Sequence, residues 1–176
     1  PAAELGWQAA DFRLRGTDGA WHHLGELAGA RGTVVAFICN HCPYVKAVLP
    51  RLLRDARELL AHGVKVIAIN ANDAVAYPED SFERMVEIAG DWPFPYLHDE
   101  SQQIARTFGA VCTPDFFGFD AKLRLQYRGR LDASLKASAD SDAARELFAA
   151  MCMIAKSGQG PAQQHPGMGC SIKWRG

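Results

Sequence analysis

The sequence predicts an α/β fold, with a mixed central sheet flanked by helices on both faces. Three observations carry this expectation. Residues 33–38 ("TVVAFI") and 64–70 ("VKVIAIN") are short, nearly continuous apolar runs, the pattern of strands buried on both faces. Between them, residues 43–63 show helical periodicity, and further on "DFFGFD" and "LRLQYRGR" read as an antiparallel hairpin. Strand, helix and strand followed by such a hairpin give a mixed sheet. No linker, repeat or low-complexity block divides the chain, so residues 1–176 are expected to form one domain.

Each element has a local reason. "DFRLRGTDGAWHHL" alternates around a Thr-Asp-Gly turn and reads as an N-terminal hairpin. In the first long helix Val45, Val48, Leu49, Leu52, Leu53, Leu59 and Leu60 recur at helical spacing. Pro43 suits its first turn and Gly63 its end, while Pro50 inside it is expected to kink it. "PEDSFERMVEIAG", residues 78–90, reads as a helix with an acidic start, and "SQQIARTFGA", residues 101–110, as another. The final hairpin turns at Asp120-Ala121-Lys122, and the last helix is expected over residues 140–158. A Gly- and Pro-rich C-terminal tail follows.

Composition narrows the function. The chain has 176 residues, 48% hydrophobic and 22% charged, with a formal net charge of −1. That is ordinary globular composition. No basic stripe marks a nucleic-acid partner, and no apolar run approaches the roughly 20 residues of a membrane span. The N-terminus lacks a basic n-region and an apolar h-region, so a cytoplasmic location is expected, or a periplasmic one if a leader has been trimmed. Five irregularly spaced cysteines do not form a secreted disulfide framework.

The chemistry centres on "FICNHCPYV", residues 37–45. Cys39-x-x-Cys42 has three readings: a redox dithiol, half of a zinc site, or two buried thiols. The chain has neither a second Cys-x-x-Cys nor a His-x₃₋₅-His to complete a zinc site. A strand-to-helix junction, moreover, is where a thiolate is activated. If Pro43 opens the helix, Cys42 is its N-cap, facing free N–H groups and the positive end of the dipole. Cys39, one turn earlier, lacks that help, and its i, i+3 spacing suits a disulfide. His41 is either a solvated loop residue or a positive charge beside the pair.

The stretches "CNHCPYVK", "INANDAVAYPED", "PYLHDES", "CTPDFFGFD", "YRGRLD" and "GCSIKW" together make the chain similar to the thioredoxin-fold redoxins grouped with AhpC/TSA and TlpA-like proteins. More narrowly, it resembles a bacterial thiol-disulfide isomerase or thioredoxin-like subgroup. The resemblance runs from Asp11 to Trp174. It implies a thioredoxin-like fold with an ordered C-terminal tail, in which Thr113-Pro114 is cis, faces the active cysteine and pairs with a substrate strand.

Register then assigns roles. In thioredoxin a strand Phe lies five residues before the nucleophilic Cys and a helix Pro eight after it. Here Phe37 and Pro50 hold those positions relative to Cys42. Cys42 is thus the expected nucleophile, Val45 replaces thioredoxin's second Cys, and Cys39 becomes the resolving thiol. Two departures stand out. The peroxiredoxin Pro and Thr are replaced by Val35 and Cys39, and thioredoxin's buried Asp maps to Ala36.

The expected activity is thiol–disulfide oxidoreduction on a protein or small-molecule disulfide, with a thiol reductant and no cofactor. A peroxiredoxin-like peroxidase is the alternative. A Sco-like copper-binding factor is an alternative of another class, because two thiolates and a His suit Cu(I). Cys112, one residue before Thr113, and Cys170 in the tail are auxiliary candidates. Cys152 is expected to be a core thiol. Arg130 and Asp132 are expected either to close the sheet edge or to line the site.

Overall fold

The computed structural model describes residues 3–134, 136 and 143–176. The strands are β1 (Arg13–Gly16), β2 (Trp21–His23), β3 (Gly32–Phe37), β4 (Val64–Asn70), β5 (Tyr96–His98), β6 (Cys112–Thr113), β7 (Asp115–Asp120), β8 (Leu125–Gly129) and β9 (Cys170–Ser171). The helices are α1 (Leu24–Leu27), α2 (Pro43–Leu59), α3 (Phe82–Ala89), α4 (Gln103–Phe108) and α5 (Glu146–Ser157). Seven strands form one sheet in the order β2-β1-β5-β4-β3-β7-β8, and β6 pairs with β9 in a small ladder of its own. The β3–β4 and β4–β5 pairs are parallel and the others antiparallel, so the sheet is mixed as expected. No helix among the described residues is long and apolar enough to cross a membrane.

β3 is central, and all six of its residues are buried. Its period of two sorts them between two cores. Val34 and Ala36 pack in one core with Val45, Val48 and Leu52 of α2, Met85 of α3 and Leu147 and Met151 of α5. Val35 and Phe37 pack in the other with Leu24 of α1 and Ala105 and Phe108 of α4. Phe108 anchors that second layer: its ring lies 5.6 Å from Phe37 and 5.7 Å from Phe117, both edge-on.

Several boundaries differ from the sequence reading. The helix expected over 78–90 is split. Pro78–Asp80 forms a single 3₁₀ turn, and α3 starts afresh after Ser81, whose hydroxyl accepts the N–H of Arg84. The split turns the Asp80 side chain inward. The helix expected from Ser101 begins at Gln103, because Gln102 takes a left-handed φ of 66° that a helix cannot continue through. The last helix begins at Glu146; of its expected start, 140–142 lie outside the described residues and Ala143 to Arg145 are not helical. α2 passes through Pro50 without a break and ends in a 3₁₀ turn closed by the left-handed Gly63.

Four elements went unread: α1, β5, β6 and β9. Each has two to four residues, too short for periodicity to register. β5 matters most to the topology, since it joins the N-terminal hairpin to β4.

The tail is ordered, as expected. It first covers the edge strand β8: the Arg130 N–H bonds to the His165 carbonyl, and the Arg128 N–H to Gln164 Oε1. It then crosses to β6 as strand β9.

Candidate active site

Cys42 is the N-cap of α2, and Pro43, lacking an N–H, occupies the first helical position. The Val45 N–H points at the Cys42 sulfur without closing a full capping bond. The neighbouring Cys39 thiol contributes most to holding Cys42 well below the ordinary thiol pKa. Burial opposes the shift, while Cys170 and the Val45 N–H reinforce it. The nearby Cys42 in turn pushes Cys39 up, helped by burial and by the negative charge of Asp80. Both shifts favour placing a negative charge on Cys42 rather than Cys39, at the sulfur that the helix dipole also favours. Cys39 lies two residues beyond the end of β3, where it packs on the α2 side of the sheet.

The Thr113–Pro114 bond is cis, and it lies against the cysteines. The Thr113 hydroxyl is 3.5 Å from Cys39 Sγ, and the Thr113 carbonyl oxygen is 3.4 Å from Cys42 Sγ. Pro114 lines a narrow cleft with Tyr44, Val48 and Met168, floored by Arg130, Leu131 and Asp132. Arg130 and Asp132 thus both border the site and tie elements together: Arg130 pairs with Glu146 at 2.8 Å, and Asp132 with Arg51 at 2.8 Å.

The other cysteines separate cleanly. Cys170 is placed by β9, and its sulfur is 2.8 Å from that of Cys42. Cys112 precedes Thr113 on the same strand, so its side chain points to the opposite face. It donates weakly to the Pro114 carbonyl at 3.6 Å, and burial pushes its thiol up to about 12. Cys152 is half-buried at the margin of the α2-side core.

Asp80 is the residue that the sequence reading missed. It is 0% exposed. Its carboxylate accepts the Asn40 N–H at 2.8 Å and the Asn72 amide at 2.9 Å. His41 Nδ1 sits 2.7 Å from Oδ2, the oxygen that also accepts the Asn72 amide, without meeting hydrogen-bond geometry. The His41 ring also stacks on Tyr77, so it is not a free loop residue. The Cys39 sulfur, a His41 nitrogen and an Asp80 oxygen all lie within 4.8 Å of one another. Ala36 holds the position expected for thioredoxin's buried Asp, and the buried carboxylate near Cys39 comes from the 78–80 turn instead. Asp80 is 41 residues from Cys39, and only the dense Asn and Asp of "INANDAVAYPED" hinted at it.

A cation bound to Cys39, His41 and Asp80 would have one sulfur, one nitrogen and one oxygen ligand. That differs from the two thiolates and a His expected for Cu(I).

Residues 5–128 match the AhpC/TSA family. The chain belongs to that family. Among similar proteins, the thiol-disulfide oxidoreductase ResA of Halalkalibacterium halodurans is 31% identical over 107 residues. The match covers 61% of this chain and only 57% of that protein. Two solved structures follow the chain nearly end to end. An uncharacterized conserved protein from Geobacillus kaustophilus is 43% identical, with a TM-score of 0.91 over 98% of this chain and 93% of its own. A hypothetical protein from Sinorhizobium meliloti is 37% identical, with a TM-score of 0.93 over 99% and 97%. More distant thioredoxin-fold structures share the architecture, and the fold of this AhpC/TSA protein is thioredoxin-like.

Proposed function

We propose that this protein is a thiol–disulfide oxidoreductase that works through Cys39 and Cys42. The observation that carries the reading is the geometry of the pair: Cys42 caps the N-terminus of α2 with Cys39 one turn before it, and the cis Thr113–Pro114 segment lies against both sulfurs. The Cys42 thiolate attacks one sulfur of a substrate disulfide. A Cys42–substrate disulfide forms, and the other substrate sulfur leaves as a thiolate and takes up a proton. Cys39 then loses its proton and attacks Cys42 Sγ. The second substrate thiol is released and a Cys39–Cys42 disulfide remains, two electrons having passed to the substrate. The Asp80–His41 pair is the proton acceptor within reach of Cys39. An external thiol reductant restores the pair.

Dithiothreitol-driven reduction of insulin, followed by turbidity, tests the activity. Wild-type protein should accelerate it and Cys42→Ser should not. In parallel, stopped-flow oxidation by hydrogen peroxide should proceed at the rate of an ordinary thiolate. A peroxidase-like rate would replace this reading with the peroxidase one.

A further inference from the structure

In thioredoxin-like proteins the backbone beside the cis-Pro is expected to receive a substrate strand, and here that backbone is already paired. β9 lies antiparallel on β6, with Thr113 opposite Cys170 and Cys112 opposite Ser171. This puts the Cys170 sulfur 2.8 Å from Cys42 Sγ, against about 2.05 Å in a disulfide, so less than about 1 Å of movement closes the bond.

The pairing is built in on both sides. Upstream, Gly169 passes so close to β6 that a Cβ there would collide with the Thr113 carbonyl oxygen. Downstream, Ile172 is buried with Phe108 and Ala110, and its N–H bonds to the Val111 carbonyl. The Lys173 N–H donates to Asn72 Oδ1, and its carbonyl accepts the Asp73 N–H and the Gln102 amide. Gln102, held at positive φ, also accepts the Arg175 N–H. Cys42, the attacking sulfur of the proposed chemistry, is meanwhile 0% exposed. An external disulfide cannot reach it along β6 while β9 is seated.

We propose that the C-terminal segment is a built-in substrate strand and that Cys170 is a third redox cysteine exchanging disulfides with Cys42. The proposal rests on Cys42 being the reactive thiol. After Cys42 has captured a substrate sulfur, Cys170 loses its proton and attacks Cys42 Sγ. The Cys42–substrate bond breaks, the leaving thiolate takes up that proton, and a Cys42–Cys170 disulfide forms. Two protein thiols are oxidised as one substrate disulfide becomes two thiols. Cys39 then attacks Cys42, and Cys170 leaves as a thiol. This second step moves the disulfide from 42–170 to 39–42 without net oxidation. The seated tail also competes with any extended peptide for the Thr113 backbone, which favours small or tail-displacing disulfides as substrates.

Trypsin digestion reads the cysteines separately: Cys39 and Cys42 fall in peptide 32–46, and Cys170 falls in 157–173. Reduced wild-type and Cys39→Ser proteins are treated with one equivalent of oxidised glutathione, quenched in acid, alkylated and digested without reductant for mass spectrometry. Cys39→Ser should yield peptide 32–46 linked to 157–173. A Cys42–glutathione adduct beside an alkylated Cys170 would overturn the proposal. Wild type should end with the bond inside 32–46, which reads the 39–42 pair on its own, so either idea can fail while the other stands. Adding Gly169→Ala to Cys39→Ser should slow conversion of the Cys42–glutathione adduct into the cross-link roughly tenfold by unseating β9. An unchanged rate would mean that a loose tail, not a docked strand, delivers Cys170, and would overturn the built-in strand.

Discussion

Residues 37–45 and residues 159–174 meet at Cys42, and they reach it by different physics. The first segment is local. A buried strand ends, two cysteines follow within one turn, and Pro43 opens α2, so the largest influence lowering the Cys42 pKa, Cys39, lies three residues from it. The second segment is held by contacts with β8, β6 and the loops at Asn72 and Gln102, and its own sequence encodes only where it can bend. The first segment supplies reactivity and the second controls access to it. The two sides touch through Cys170, which also helps to lower the Cys42 pKa, and each prediction below probes one side of that division.

The largest effect belongs to the local side. Cys42→Ser should abolish insulin reduction, and Cys39→Ser should still capture the first substrate sulfur. If Cys42→Ser is instead the variant that traps substrate, the two roles are exchanged.

Asp80→Asn comes next. Removing this charge lowers the Cys39 pKa, so a purely electrostatic role predicts faster attack by Cys39. A proton-accepting role predicts slower attack, by about a hundredfold. Single-turnover formation of the 39–42 disulfide distinguishes the two by sign, and the slower rate is expected.

The pH dependence is smaller. Because the Cys42 pKa is lowered, its thiolate is already formed near neutrality and is lost only as pH falls into the acid range. Iodoacetamide labelling of Cys42 should therefore change less than about twofold between pH 8 and pH 6. A thiol of ordinary pKa would slow by nearly two orders of magnitude over that range. A steep profile would show that the helix terminus and the neighbouring Cys39 do not activate Cys42.

The smallest effect tests the tail. The Arg106 guanidinium lies 4.2 Å from the centre of the Trp174 ring, a cation–π contact that pins the chain end to α4. Arg106→Ala should speed alkylation of both Cys42 and Cys170 about two- to fivefold by freeing the tail. Faster labelling of Cys170 alone would mean that β9 does not shield Cys42.

The local side was legible for the reasons that make it local. Val34 to Ile38 form a continuous apolar run, Cys42-Pro43 is a helix start, and Phe37 and Pro50 fix the register, so the strand, the helix and the N-cap position of Cys42 follow from a dozen neighbouring residues. The hairpins and the cis Thr113-Pro114 bond were legible too, the latter through resemblance. Asp80 was hidden inside what read as a helix, because Ser81 capping α3 is a competition between two helix starts that periodicity does not resolve. Cys112 and Cys170 looked equivalent, one beside the Pro and one in the tail. Strand alternation turns Cys112 away and the β6–β9 register brings Cys170 to Cys42.

By itself, then, the sequence determined the alternation that divides β3 between two cores, the helix that begins at a cysteine, and the N-cap position of Cys42. Those depend on backbone periodicity and on the free N–H groups of a helix end, which act over a few residues. Only the tertiary structure decided which carboxylate stands beside Cys39 and which sulfur stands beside Cys42. Both are choices between groups tens of residues apart, and chain spacing says nothing about them until the sheet and the path of the tail have set their distances.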